Sequence, residues 1–187
     1  MVLTEWYLDI STEGADPQRD RILTIQYQAI ANGEVTGPFQ ILAEWEWGEK
    51  QIVRSIVEKG LLDPASEFVP VGGRLTFAIT FIIAKAEKYE IKKFAVDELR
   101  NFWINKPLVD LASLVALEER RKSKRLSTSD LPGESGAMIS TLYSQGRYAD
   151  ILESVTRDKD EVVRLLGAVE SRLEARRVAQ ERPTGSR

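Results

Sequence analysis

The alternation of apolar and polar side chains over the first 45 residues constrains the fold of this chain more than any other feature. Residues 5–11 and 21–30 alternate and are rich in β-branched and aromatic residues, a pattern typical of strands with a buried face. The pair Asn32-Gly33 follows, which favours a tight hairpin turn, and a third strand is predicted around 37–43. These segments predict a three-stranded antiparallel meander.

The remainder of the chain combines apolar residues at helical spacing with short apolar runs. Short strands are predicted at 67–71 and 106–111. Helices are predicted over 49–59, 75–88, 96–104, 112–122, 136–144, 147–155 and 158–181. Strands that are followed by alternating strands and helices predict an α/β fold, in which helices flank a mixed sheet. With 187 residues, we expect one domain over 1–181 and a disordered polar tail over 182–187.

The absence of two residue types narrows the possible chemistry. The chain has no cysteine and no histidine, which excludes disulfides, thiolate nucleophiles, Ser-His-Asp triads and metal sites built from these side chains. Catalysis would have to depend on carboxylates, Lys, Tyr or hydroxyl groups, with hard ions such as Mg²⁺ as the metals. The formal net charge is −3, so nucleic-acid binding would require a local basic patch.

Three segments, in the order 7–26, 71–81 and 148–158, carry a family resemblance. The first contains YLDISTEG and then DRI, the second reads VGGRLTFAITF, and the third reads YADILESVTRD. They resemble the motifs of DEDD-type 3′–5′ exonucleases, in which Asp-x-Glu-Thr-x-Gly is followed by Asp-Arg-Ile, Gly-x-Asn precedes a helical Phe-Asp, and Tyr lies four residues before a helical Asp. The resemblance spans about residues 5–165 and implies a ribonuclease H-like fold.

The resemblance also implies that four carboxylates would hold two Mg²⁺ ions, which clamp the attacking and leaving oxygens of a phosphodiester. Asp9 and Asp158 match two of these carboxylates. Ser11 and Ala78 stand where the other two are expected, and Ser154 stands where the water-orienting Tyr is expected. We therefore expect that catalysis is lost and that Asp9 and Asp158 form at most a weak or vestigial metal site. We expect no cofactor unless that site retains Mg²⁺.

Two further acids leave alternatives open. Glu13 could act with Asp9 and Asp158 in a working Mg²⁺-dependent 3′–5′ exonuclease with displaced ligands, although a glutamate in a polar turn is more often simply solvated. Asp110 could be a buried functional acid, or it could cap the helix that follows it.

A basic run over 120–125 is the strongest candidate for contact with nucleic acid. It places five positive charges in six positions, enough to neutralise several phosphates. The same run could instead be a solvated helix end, where cations favour the helix dipole. The predicted nucleic-acid-binding residues are Arg120, Arg121, Lys122, Lys124 and Arg125.

These patterns favour an inactivated exonuclease-like domain that binds single-stranded nucleic acid or a protein of DNA or RNA metabolism, or that serves as a scaffold. The alternative in another class is a structural protein that forms homodimers through an apolar stripe over 162–173. No secretory signal pattern is present and the most apolar stretch, 77–84, is too short to span a membrane, so we expect a cytoplasmic location. The few asparagines, the lack of cysteine and the dense Arg, Glu and Lys hint at a thermophilic source.

Overall fold

The computed structural model describes residues 4–31, 34–113 and 136–181. The strands are β1 (Thr4–Thr12), β2 (Ile22–Ala31), β3 (Glu34–Ala43), β4 (Phe68–Gly72) and β5 (Val109–Asp110). The helices are α1 (Glu44–Trp47), α2 (Glu49–Glu58), α3 (Leu75–Lys88), α4 (Val96–Asn105), α5 (Gly136–Ser144) and α6 (Tyr148–Glu181).

The strands form one mixed sheet in the order β3-β2-β1-β4-β5. β1 pairs antiparallel with β2, and β2 pairs antiparallel with β3. On its other edge β1 pairs in parallel with β4, and β4 pairs in parallel with β5. The structure confirms the predicted α/β fold class, a mixed sheet in which an antiparallel meander continues into parallel strands and helices flank the sheet.

The helix predictions hold with one exception near the end of the chain. The helices predicted before residue 145 correspond to α2, α3, α4 and α5 wherever they lie within the described residues. Residues 148–181, predicted as two helices, form the single helix α6. No glycine or proline occurs between 148 and 166, so no residue in that stretch favours a helix end. The predicted strand over 106–111 shortens to β5, and most of the predicted helix over 112–122 lies outside the described residues.

β1 lies between two apolar layers because its side chains alternate. Leu8 and Ile10 are buried in a cluster that includes Ile79 and Phe81 of α3. Tyr7 is buried in a second cluster with several side chains of α6. We call the two faces of the sheet the α3 face and the α6 face.

Within the described ranges, no helix combines the length and the apolar character needed to cross a membrane. The longest of them, α6, has 34 residues, but charged side chains recur along it.

Candidate functional site

The first motif lies on the α6 face of β1. Side chains two residues apart on a strand point the same way, so Asp9 and Ser11 share a face with Tyr7, which packs against Val162 and Leu166 of α6. Asp9 and Ser11 are partly buried there. The first motif therefore faces the helix that contains the third motif.

Helix α6 presents the third motif to this face. Ser154 and Asp158 are four residues apart, so they lie on one side of the helix in successive turns. Ser154 is 2% exposed, and the negative charge of Asp158 acts on both Asp9 and Tyr7. The charges of Asp9 and Asp158 therefore act on each other at the α6 face, and Ser154 lies one turn away from Asp158 on the helix.

Strand β2 adds polar side chains that the sequence analysis did not identify. Gln26 lies opposite Asp9 and Thr24 lies opposite Ser11, and the register then shifts because Leu23 is an extra residue in a bulge. Gln26 Nε2 donates hydrogen bonds to Thr24 Oγ1 at 2.6 Å and to Ser11 Oγ at 3.4 Å. Gln26 thereby links the two strands beside Asp9. The cross-strand register was the missing information, because alternation places Thr24 and Gln26 on one face of β2 but does not show which residues of β1 they oppose.

Buried polar atoms without a hydrogen-bond partner are concentrated on the α6 face. Among the described residues they include the Tyr7 hydroxyl, Gln26 Oε1, Gln28 Oε1 and Ser154 Oγ. Buried polar groups are almost always paired, and leaving one unpaired costs about 1–3 kcal/mol. This concentration between one strand pair and one helix is therefore unusual for a purely structural interface.

The ionisation of Asp9 reflects its surroundings. Burial raises the pKa of Asp9 from 3.8 to about 7, and the charge of Asp158 adds to the increase, whereas the backbone of Ile10 and the charge of Arg74 oppose it. Burial likewise raises the pKa of Tyr7 well above its ordinary value, and the charges of Asp9 and Asp158 reinforce the shift. The charge of Asp9 acts on the Tyr7 hydroxyl, although no described residue lies at hydrogen-bond geometry to that hydroxyl. Near neutral pH, Asp9 is divided between its neutral and charged forms.

Arg74 brings a positive charge to these acids from the junction of β4 and α3. A Cβ added at Gly72 would lie 2.4 Å from the carbonyl oxygen of Leu8, so only glycine permits this close approach of β4 to β1. The contact fixes the backbone near Arg74, whose charge lowers the pKa of Asp9. The sequence signal for this residue is its place in the second motif, where Arg74 aligns with the Asn of Gly-x-Asn.

Ala78 lies apart from the other motif positions. It is 1% exposed and belongs to the apolar cluster on the α3 face, together with Leu8 and Ile10. Asp9 points to the opposite face of β1. The structure therefore places Ser11 and Ser154 on the α6 face with the two acids and leaves Ala78 among apolar side chains.

These residues do not fit the pair of Mg²⁺ ions that the family resemblance implies. Two such ions, about 4 Å apart, require several converging carboxylates. The α6 face offers Asp9 and Asp158, and the positive charge of Arg74 lowers the pKa of Asp9. In the part of the chain that the structure describes, no group of three or more acidic side chains could hold a metal ion.

Glu13 belongs to a separate ion-pair cluster at the end of β1. Arg21 donates to both of its carboxylate oxygens, from Nη2 to Oε1 at 2.5 Å and from Nε to Oε2 at 3.0 Å. Arg21 also lies 3.5 Å from Glu44, whose second oxygen accepts a hydrogen bond from the Tyr143 hydroxyl. The hydrogen bonds from Arg21 lower the pKa of Glu13. Because Arg21 occupies both oxygens, this geometry disfavours Glu13 as a replacement metal ligand.

Asp110 ends β5 and contacts the backbone that follows it. Its Oδ1 accepts a hydrogen bond from the N–H of Ala112 at 3.1 Å, and burial raises its pKa. This contact favours the interpretation that Asp110 caps the next turn. The predicted nucleic-acid-binding residues over 120–125 lie outside the described residues, as does the predicted tail over 182–187.

Comparison with known proteins gives structural likenesses but no likeness in sequence. No family model and no curated protein matches the chain. Among solved structures, it is similar to E. coli exonuclease I in complex with a 5cy-dT13 oligonucleotide, at 12% sequence identity and a TM-score of 0.44. The similarity covers 67% of this chain and 32% of the exonuclease I chain, so this chain spans about a third of that protein's length.

Proposed function

We propose that this protein is an exonuclease-like domain without nuclease activity, which acts as a binding or scaffolding module for single-stranded nucleic acid or for a protein of DNA or RNA metabolism. The observation that carries the proposal is the composition of the α6 face in a ribonuclease H-like sheet. Asp9 and Asp158 interact there, while Ser11 and Ser154 stand where the family has a carboxylate and a water-orienting group.

The electrostatics of the α6 face support binding rather than hydrolysis. Hydrolysis with two metal ions needs a dense cluster of negative charge. Here the motif positions on the α6 face offer the carboxylates Asp9 and Asp158, and Ser11 stands where the family has a further carboxylate.

A degradation assay tests the loss of activity. The purified protein is incubated with labelled single-stranded and double-stranded DNA and RNA, in Mg²⁺ or in Mn²⁺. We expect no shortening above background and no difference between the wild type and Asp9→Ala. Shortening from the 3′ end that Asp9→Ala and Asp158→Ala both abolish would contradict the proposal. That result would establish a working exonuclease with displaced ligands.

The structural-oligomer alternative receives no support from the apolar stripe over 162–173. Val162, Leu166 and Val169 are each buried within the chain's own core, and the first two pack against Tyr7 of β1. Val162 and Leu166 dock α6 onto its own sheet, and these three side chains are buried, whereas the side chain of Leu173, the last of the stripe, lies outside the described residues.

A further inference from the structure

The loop over 60–66, between α2 and β4, closes around a buried cation. Lys106, the residue that follows α4, is 5% exposed, and its Nζ donates three hydrogen bonds to this loop. The acceptors are the carbonyl oxygens of Gly60 at 3.2 Å and of Asp63 at 2.8 Å, and Ser66 Oγ at 2.6 Å. An ammonium has three N–H donors and no acceptor, so this geometry uses every donor of the side chain.

Bonds within the loop set the positions of these three oxygens. Ser66 Oγ donates to the carbonyl oxygen of Gly60 at 2.6 Å. The N–H of Asp63 donates to the same carbonyl, and the N–H of Ser66 donates to the carbonyl oxygen of Asp63. Gly60 has φ +90°, and an added Cβ would lie 2.7 Å from Ser66 Cβ, so glycine is strongly favoured here. Leu61 and Leu62 are buried in the core, which anchors the other side of the loop.

We infer that the loop over 60–66 is a binding site for a primary ammonium group, which this chain fills with its own Lys106, so that the lysine joins the connection before β4 to the connection before β5. The three oxygens match the three donors of an ammonium, and hydrogen bonds from a charged donor are the stronger ones. Burial lowers the pKa of Lys106 to about 8, against the opposing charge of Asp63, so the group is mostly an ammonium near neutral pH. The inference is independent of the proposed function, since no motif residue takes part in these contacts.

A second lysine contacts the same loop in a different way. Lys92 Nζ donates to the carbonyl oxygen of Leu62 at 3.0 Å and lies 4.8 Å from the ring centroid of Phe94. This contact engages one loop carbonyl, whereas Lys106 engages three oxygens. Lys92 is therefore the matched control for the removal of a lysine from this loop.

Chemical rescue of Lys106→Ala tests the inference. The substitution removes Cγ, Cδ, Cε and Nζ, and n-propylammonium supplies the same heavy atoms. Near neutral pH and at constant ionic strength, the melting temperature is measured with increasing n-propylammonium chloride or tetramethylammonium chloride. Propylammonium should raise the melting temperature of Lys106→Ala in a saturable manner, because a ligand that binds only the folded state stabilises it. Tetramethylammonium carries the same charge without an N–H donor and should have no such effect.

Two further variants assign the rescue to the loop. In Lys106→Met the methionine side chain fills the space that propylammonium needs, and Lys92→Ala leaves Lys106 in place. Neither variant should respond to propylammonium more than the wild type does. Equal responses of Lys106→Ala to the two salts would overturn the inference, as would an equal rise in Lys106→Met.

If Lys106→Ala does not fold, a variant that keeps the lysine tests the same geometry. Ser66→Ala removes one acceptor, and amide hydrogen exchange in the loop should become about tenfold faster, as expected for the loss of a hydrogen bond to a charged group. The acceleration should be smaller in the Lys106→Met background, because the donor is already absent there. Ser55→Ala, on α2, removes a hydroxyl that donates to the carbonyl oxygen of Gln51 and should leave exchange in the loop unchanged. Equal acceleration by Ser66→Ala in both backgrounds would overturn the inference.

Discussion

At the scale of single residues, Asp9 has the environment with the clearest energetic consequence. Its pKa is about 7 in the folded protein, compared with 3.8 for an ordinary aspartate, and burial is the main cause. The folded protein therefore binds a proton at Asp9 more tightly than the unfolded chain does. The resulting stabilisation is fully present below pH 3.8 and is lost as the pH rises through about 7.

Replacing Asp9 by Asn should remove this pH dependence. Between about pH 4 and about pH 8, the free energy of unfolding of the wild type should fall by about 2–4 kcal/mol more than that of Asp9→Asn. Urea unfolding at several pH values measures the difference. Asp97→Asn, at an exposed position on α4, is the control and should follow the wild-type curve. Parallel curves for the wild type and Asp9→Asn would show that burial does not perturb this carboxyl.

At the scale of secondary-structure elements, two glycines should respond oppositely to alanine. At Gly72 an added Cβ would lie 2.4 Å from the Leu8 carbonyl oxygen, whereas at Gly167 in α6 it would meet no atom within 4 Å. We expect Gly72→Ala to destabilise the fold by about 1–3 kcal/mol. Gly167→Ala should stabilise it by about 0.5–1 kcal/mol, because alanine restricts the unfolded chain and favours the helix. Thermal unfolding shows whether each variant has a lower or a higher melting temperature than the wild type. An unchanged melting temperature for Gly72→Ala would refute the close approach of β4 to β1.

A buried ion pair joins α2 to α3. Lys85 Nζ lies 3.5 Å from Glu49 Oε1, and both side chains are almost completely buried. Glu49 also accepts hydrogen bonds from the N–H of Ile22 at 2.8 Å and from the Tyr89 hydroxyl at 2.5 Å. By contrast, Lys85 Nζ has no hydrogen-bond partner among the described residues. The pair therefore couples the two helices. The hydrogen-bonding groups of Glu49 are satisfied, whereas those of Lys85 are not.

Removing both charges of this pair should cost less than the sum of the two single removals. Lys85→Met leaves Glu49 charged and buried, so we expect a loss of about 3–5 kcal/mol in the free energy of unfolding. In Glu49→Gln/Lys85→Met no uncompensated charge remains, and the loss should be smaller than the sum of the single-variant losses by about 1 kcal/mol or more. Urea unfolding of the four proteins in this cycle gives the coupling. Additive losses would mean that the two side chains do not interact.

At the scale of the whole molecule, the charge distribution governs nucleic-acid binding. The net charge is −3, so attraction to phosphate has to be concentrated locally. The run over 120–125 is the most basic segment of the sequence. Each phosphate contact releases counterions, which makes the affinity fall steeply with salt.

Replacing the five basic residues of this run by Ser should weaken oligonucleotide binding to a similar degree across sequences. The logarithmic salt dependence should become flatter by roughly one unit for each phosphate that the protein no longer neutralises. A salt titration of binding to single-stranded oligonucleotides measures both effects. The control variant makes the same change in net charge at exposed cations elsewhere, namely Lys50, Lys88, Lys93, Arg100 and Arg164. Equal affinity and slope in the wild type and the 120–125 variant would favour a protein partner over nucleic acid.

The sequence by itself determined the features that depend on local pattern. The period of two in β1 placed Tyr7, Asp9 and Ser11 on one face. The meander and the helices followed from spacing and from turn residues, since these signals arise between residues that are close in the chain. The motif order also led to the prediction that Asp9 and Asp158 belong to one metal site, and this stays a prediction.

Only the tertiary structure decided which groups share that site. It assigned Glu13 to Arg21, placed Ala78 on the α3 face, and brought the charge of Arg74 to Asp9. These outcomes depend on strand register, on the bulge at Leu23 and on the docking of helices far apart in sequence. The energies concerned arise from contacts between distant segments, and such contacts leave no periodic signal in the chain.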